Sequence, residues 1–134
     1  MAYLLDTSIC VFFLRGKLNL ADKIREVGLE NIYISEVTIL ELYFGAENSN
    51  NPTKSYQAVE KFLSGLKIVP LFGVMKRYAK EKVQLRRKGK PMHDEFDLLI
   101  GVTAAENKLT LVTDNVRDFQ NIDNLKVENW IRKD

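Results

Sequence analysis

An α/β domain built on a mostly parallel sheet is the fold class this sequence predicts, on three observations. Short apolar runs rich in β-branched or aromatic residues, at 3–5, 32–34 and 109–112, alternate with longer segments of helical spacing. No internal repeat, low-complexity tract or interdomain linker interrupts that alternation. The 134 residues, 46% hydrophobic and 28% charged, have the length and composition of one folded domain spanning 1–134.

Tyr3-Leu4-Leu5 reads as the first strand, and Asp6-Thr7-Ser8 follows as a cap for a short helix over 9–14 that closes near Gly16. Leu20, Ile24 and Val27 give a second helix ended by Gly28. Ile32-Tyr33-Ile34 is a strand. Ser35 starts a helix through Val37, Leu40, Glu41 and Phe44, with a stop expected near Gly45. The polar stretch 47–53 reads as a loop, and Tyr56, Val59, Phe62, Leu63 and Leu66 as the next amphipathic helix. Ile68-Val69 is a short strand before Pro70. A basic helix over 74–87 is broken by Lys88-Gly89-Lys90-Pro91. Residues 96–107 are apolar almost all round, which predicts a buried helix. Residues 109–112 form a strand, 114–119 a turn and 126–128 a last weak strand.

Several classes are excluded. No apolar run approaches the roughly 20 residues of a membrane span, and the start of the chain lacks the basic region of a secretory signal, so a cytoplasmic location is expected. Cys10 and His93 are the only residues of their kinds, which leaves no thiolate or histidine cluster for zinc. Cys10 reads as a small buried hydrophobe and His93 as a surface residue, a general acid or a contact to phosphate. Neither Gly-rich phosphate loop, GxGxxG or GxxxxGK[ST], occurs.

Charge is unevenly spread. Between Lys76 and Lys90 eight basic residues face Glu81 alone, a net +7, while the rest of the chain carries 12 basic and 17 acidic residues, a net −5. Such a segment is either a footprint for a polyanion or a solvated helix face.

The acids suggest chemistry. In open parallel sheets ligands bind beyond the carboxyl ends of the strands. Asp6 directly follows one strand and Asp114 another. Glu41 lies in the apolar run 37–44, and Asp97 heads the most apolar helix. Each has a local explanation: a cap at Asp6, a basic partner for Glu41, a first-turn acid at Asp97 with Asp94 as cap, a turn residue at Asp114. Together they suggest a shared cation. An all-oxygen donor set favours Mg²⁺, or Mn²⁺, and phosphoryl chemistry. Two other readings stay open: a phosphatase with Asp6 as nucleophile, although Ser8 stands where its second acid would be expected, and a non-catalytic module binding RNA or protein through the basic helix.

The segments LLDTS at 4–8, TILELYFGA at 38–46, KGKP…DEFDLLIGVTAAENKLTLVT at 88–113 and TDNVRDF at 113–119 resemble PIN-domain ribonucleases, and more narrowly VapC-type toxins of type II toxin–antitoxin systems. Residues 125–130 resemble the family's closing strand. The resemblance implies a PIN-like sheet flanked by helices and a Mg²⁺-dependent endoribonuclease acting on RNA. By motif match, Asp6, Glu41 and Asp97 hold the metal. The family's pattern at the fourth position, Thr, any residue, then Asn or Asp, points to Asn115 rather than Asp114, with Asp118 nearby. The resemblance also implies a cognate antitoxin and commonly a homodimer, with the apolar faces of 9–14 and 56–66 as candidate contacts.

Overall fold

A computed structural model describes residues 1–16 and 19–131. Five strands form one parallel sheet in the order β3-β2-β1-β4-β5: β1 (Tyr3–Leu5), β2 (Ile32–Ser35), β3 (Lys67–Val69), β4 (Thr110–Val112) and β5 (Val127–Glu128). The chain runs from β1 outward to β3 on one side, then returns to place β4 on the other side of β1. The strand order therefore reverses between β1 and β4, and the crevice at their carboxyl ends is where such sheets bind ligands.

The strands are short, and the central three, β2, β1 and β4, are largely buried on both faces. Alternation along β1 sends Leu4 into one apolar core and Leu5 into the other, and Leu111 and Val112 of β4 divide in the same way. The core containing Leu4 is covered by α5 (Met75–Arg87) and α6 (Glu95–Glu106); the core containing Leu5 by α1 (Thr7–Leu14), α2 (Leu20–Val27), α3 (Glu36–Glu47) and α4 (Pro52–Leu63). A short α7 (Val116–Phe119) lies between β4 and β5. Among the described residues, no helix is long and apolar enough to cross a membrane.

Side-chain caps set the helix starts. Asp6 accepts from the Ile9 N–H, Ser35 from Thr38, Asn51 from Lys54 and Asp94 from Asp97. Three expected boundaries move. The helix expected to stop at Gly45 continues to Glu47, because Gly45 keeps helical geometry and Ala46 beyond it is buried. The expected loop over 47–53 shrinks to four residues, because Asn51 caps α4 and Pro52 fills its first turn, where a missing N–H is harmless. The expected turn at 114–119 contains the single-turn helix α7.

Gly101 allows α6 to seat closely. A Cβ there would stand 2.5 Å from Ile122 Cδ1 and 3.1 Å from Phe119 Cδ1, both in buried side chains. Gly101→Ala is expected to lower stability by about 1 kcal/mol, overpacking outweighing the better helix propensity of alanine. Adding Ile122→Val, which removes the closer carbon, should recover part of that loss in urea unfolding.

The basic segment is partly consumed by the fold. Arg77 pairs with the buried Glu81 at 3.2 Å and with Glu106 at 3.5 Å, Lys82 with Glu95 at 2.7 Å and Lys88 with Asp123 at 3.2 Å. Among the described residues, Lys76, Lys80, Arg86, Arg87 and Lys90 make no ion pair, and these five are what the segment can offer to a polyanion.

Candidate active site

The crevice at the strand reversal gathers acids from four parts of the chain. Asp6 leaves β1 with its N–H donating to Val112 of β4 at 3.0 Å, which fixes it beside the end of that strand. The residue is 4% exposed. Oδ1 accepts from the Ile9 N–H at 2.9 Å and from the Ser8 hydroxyl at 2.8 Å. The expected capping role of Asp6 is therefore real, and the residue faces the crevice as well.

Ser8 also reaches Asp114 Oδ1 at 2.8 Å, joining residues 106 apart in sequence. A hydroxyl has one proton to donate, so it serves one carboxylate at a time, and the pair favours an added positive charge. Asp114 thus touches the Asp6 arrangement directly. Asn115 is exposed, and its backbone N–H donates to Thr113 Oγ1 at 3.0 Å. Asp118 is exposed and lines a cavity with Asp97.

Glu41 enters from α3. Instead of a basic partner it has Thr7, whose hydroxyl donates to Glu41 Oε1 at 2.6 Å. Thr7 Oγ1 also lies 3.1 Å from Thr38 Oγ1, which ties α1 to α3 beneath the site. Asp97 enters from the first turn of α6, its N–H donating to the cap Asp94 at 3.1 Å. The adjacent Leu98 and Ile100 are buried and fix that turn.

These carboxylates feel one another. Burial pushes Asp97 up to about 7, and the charges of Asp94, Asp6, Glu41 and Asp118 add to it. Burial also raises Glu41 and Asp6. Hydrogen bonds oppose the rise, from Thr7 at Glu41 and from Thr113, Ile9 and Ser8 at Asp6; neighbouring acids reinforce it. Among the described residues none of Asp6, Glu41, Asp97 or Asp114 pairs with a lysine or arginine. Nor do three His, Cys, Asp or Glu side chains among them close tightly enough to grip an ion as they stand. Asp6 and Glu41 are turned onto the hydroxyls of Ser8 and Thr7. The donor chemistry still fits a hard divalent cation: all oxygen, mutually repelling and, among the described residues, without an ion pair to a lysine or arginine.

An acid whose folded pKa is raised favours folding in its protonated form. The Asp97 contribution is full below the ordinary value near 3.8 and is lost as pH climbs through about 7. In EDTA the melting temperature should therefore rise as pH falls from 8 to 6. Discounted for a half-exposed group, the gain is about 1 kcal/mol at most. Asp97→Asn should flatten that rise, and an unchanged slope in the variant would remove Asp97 as its source.

Sequence reasoning missed Ser8 and Thr7 as the hydroxyls that hold these acids. Both stand in the LLDTS run, but their partners are 34 and 106 residues away, so only their neighbourhood to Asp6 was a signal. Cys10 is buried and its thiol pushed well above the ordinary range, mainly by burial, which suits a core residue and not a nucleophile. His93 is exposed on the wall of the Asp97 cavity.

Comparison with known proteins bears on the fold and the family. The PIN domain family profile matches residues 3–125. The chain belongs to the PIN-domain family. Among PIN-domain proteins it is similar to the tRNA(fMet)-specific endonuclease VapC of Salmonella typhimurium, 31% identical over 97% of this chain and 98% of that protein. It is also similar to ribonuclease VapC2 of Rickettsia felis, 33% identical over 97% and 98%. The PIN-domain structure of DNA-bound VapBC from Salmonella typhimurium superposes with a TM-score of 0.90 at 29% identity, covering 97% of this chain and 98% of that one. The expected fold and family therefore both hold.

Proposed function

We propose that this PIN-domain chain is a divalent-metal-dependent endoribonuclease, the toxin of a toxin–antitoxin pair, with Asp6, Glu41, Asp97 and Asp114 as its site. The observation that carries the reading is the convergence of these carboxylates at the strand reversal with no basic partner among the described residues. It is supported by the VapC ribonucleases similar to this chain over nearly their whole length. Asp114 is preferred as the fourth acid over Asn115 and Asp118 because it shares the Ser8 hydroxyl with Asp6.

Asp6, Glu41 and Asp97 would hold Mg²⁺ or Mn²⁺, with Asp114 on the far side of Ser8. When bound, such an ion neutralises the acidic crevice, draws charge from the phosphodiester and activates water for hydrolysis. The protein's part is positioning. Ser8 aligns Asp6 with Asp114, Thr7 holds Glu41, and the cap at Asp94 sets the first turn from which Asp97 projects. The buried Cys10 leaves no thiol within reach of substrate, so direct attack by water is the reading that fits.

For the antitoxin we assign the apolar cleft of about 280 Å³ between α1, α3 and α4, lined by Val11, Leu14, Leu42 and Val59, with Glu41 at its edge. A segment seated there would reach the acids. Much of the two helix faces expected to meet a partner is otherwise spent internally, as in the stacking of Phe13 on Phe62 with ring centres 4.9 Å apart.

The test is cleavage of RNA with and without Mg²⁺ by the parent and Asp6→Asn proteins. The tRNA(fMet) named for the Salmonella relative is the first substrate to try. Cleavage unaffected by EDTA, or retained in full by folded Asp6→Asn, overturns the reading.

A further inference from the structure

Beside Asp97, away from the Asp6–Ser8–Asp114 group, lies a cavity of about 410 Å³, a size suited to one small-molecule unit. Its walls combine Lys90, His93 and Arg117 with Asp94, Asp97 and Asp118. Among the described residues, Lys90 and Arg117 form no ion pair, although carboxylates line the same cavity. His93 and Asp94 also border a shallow hollow lined by Glu95 and Phe96, an aromatic residue 41% exposed one position before Asp97. Free cations, a concave wall and an exposed ring thus adjoin one carboxylate of the proposed catalytic centre.

Resting on the ribonuclease reading, we infer that this cavity is a nucleotide subsite. It holds the nucleotide next to the scissile phosphate, its own phosphate on Lys90 and Arg117 and a base stacked on Phe96. The acidic crevice repels a polyanion, and any strand entering it needs cations on the path. Lys90 and Arg117 are the unpaired cations sharing a wall with Asp97. A phosphate contact gives affinity without sequence information, whereas an exposed ring offers a face to an unpaired base. Together they would fix the register of the strand over Asp97.

The test measures binding of a fluorescein-labelled single-stranded RNA oligonucleotide, by anisotropy in Mg²⁺, in an Asp6→Asn background. Lys90→Ala with Arg117→Ala should weaken binding about tenfold and lower the log–log salt slope by about 1.4, the value for two single-strand phosphate contacts. The charge-matched pair Lys61→Ala with Lys126→Ala, outside the cavity, should leave both unchanged. Phe96→Ala should weaken binding about tenfold or more without altering the salt slope, and Phe96→Tyr should restore it. An abasic residue at one oligonucleotide position should abolish the effect of Phe96→Ala. In the otherwise unaltered enzyme the same variants should raise KM more than they lower kcat. The subsite is overturned if the Lys90/Arg117 pair behaves like the control pair, or if no abasic position couples to Phe96. RNA cleavage that persists in Asp6→Asn overturns the underlying ribonuclease reading instead.

Discussion

Asp97→Asn is expected to slow RNA cleavage by at least about 100-fold while the protein stays folded and, in EDTA at neutral pH, becomes more stable. The two effects share one cause. In the proposed mechanism the Asp97 charge holds the cation, and removing it takes away transition-state stabilisation, an effect of roughly 10²–10³-fold for a single positioned group. The same charge is unfavourable in the cation-free protein, where burial and the neighbouring acids push the Asp97 carboxyl up to about 7. The neutral amide keeps the shape of the side chain, and the packing of Leu98 and Ile100 is untouched. Asp6→Asn should behave alike in cleavage, and its amide oxygen can still accept from the Ile9 N–H, so the start of α1 survives. Because the proposed function places both acids in one site, the double variant should be little slower than either single one. A folded Asp97→Asn protein that cuts at the parental rate, or one that loses stability in EDTA, would contradict the argument.

The second large effect lies far from the chemistry. Glu81→Ala is expected to destabilise the protein by about 3–5 kcal/mol, read as a lower urea midpoint with an unchanged slope. Glu81 is 1% exposed on the inner face of α5. It receives Arg77 Nε at 3.2 Å through one oxygen and the Asp123 N–H at 3.3 Å through the other. Arg77 then donates to the Asp123 carbonyl at 2.7 Å and reaches Glu106. One buried carboxylate thus joins α5, the end of α6 and the segment before β5. Removing it leaves the largely covered Arg77 without its main counter-charge and the Asp123 N–H without an acceptor, and both are more costly than losing the pair as a whole. Glu81→Leu combined with Arg77→Met should therefore recover much of the loss. A loss below about 1 kcal/mol for Glu81→Ala would mean that the knot contributes little, as surface pairs do.

Glu81 also shows where sequence reading stops. In the sequence it is the lone acid in a basic stretch, and net charge leaves the whole stretch as either a polyanion footprint or a solvated helix face. The fold pairs Arg77 with the buried Glu81 and Lys82 and Lys88 with the half-exposed Glu95 and Asp123, and leaves Lys90 without an ion pair beside Asp97. Charge along a chain says nothing about which side chains find partners across space. Local signals did better. Strand positions, caps at Asp6, Ser35 and Asp94, and the buried character of α6 depend on neighbours within four residues, and they could be read directly. Gly45 misled because glycine permits a stop without requiring one, and the burial of Ala46 favoured continuing the helix.

The order of residues alone determined the alternation of strands and helices, the exclusion of thiolate and histidine metal chemistry, and the identity of the candidate acids, since all of these rest on residue type and short-range spacing. Only the tertiary structure decided that the acids meet at the reversal between β1 and β4, that Ser8 links Asp6 to Asp114 and Thr7 holds Glu41, and which cations remain free. Those outcomes depend on strand order and on contacts between residues 34 to 106 positions apart, which form only when two hydrophobic cores close on the opposite faces of one sheet.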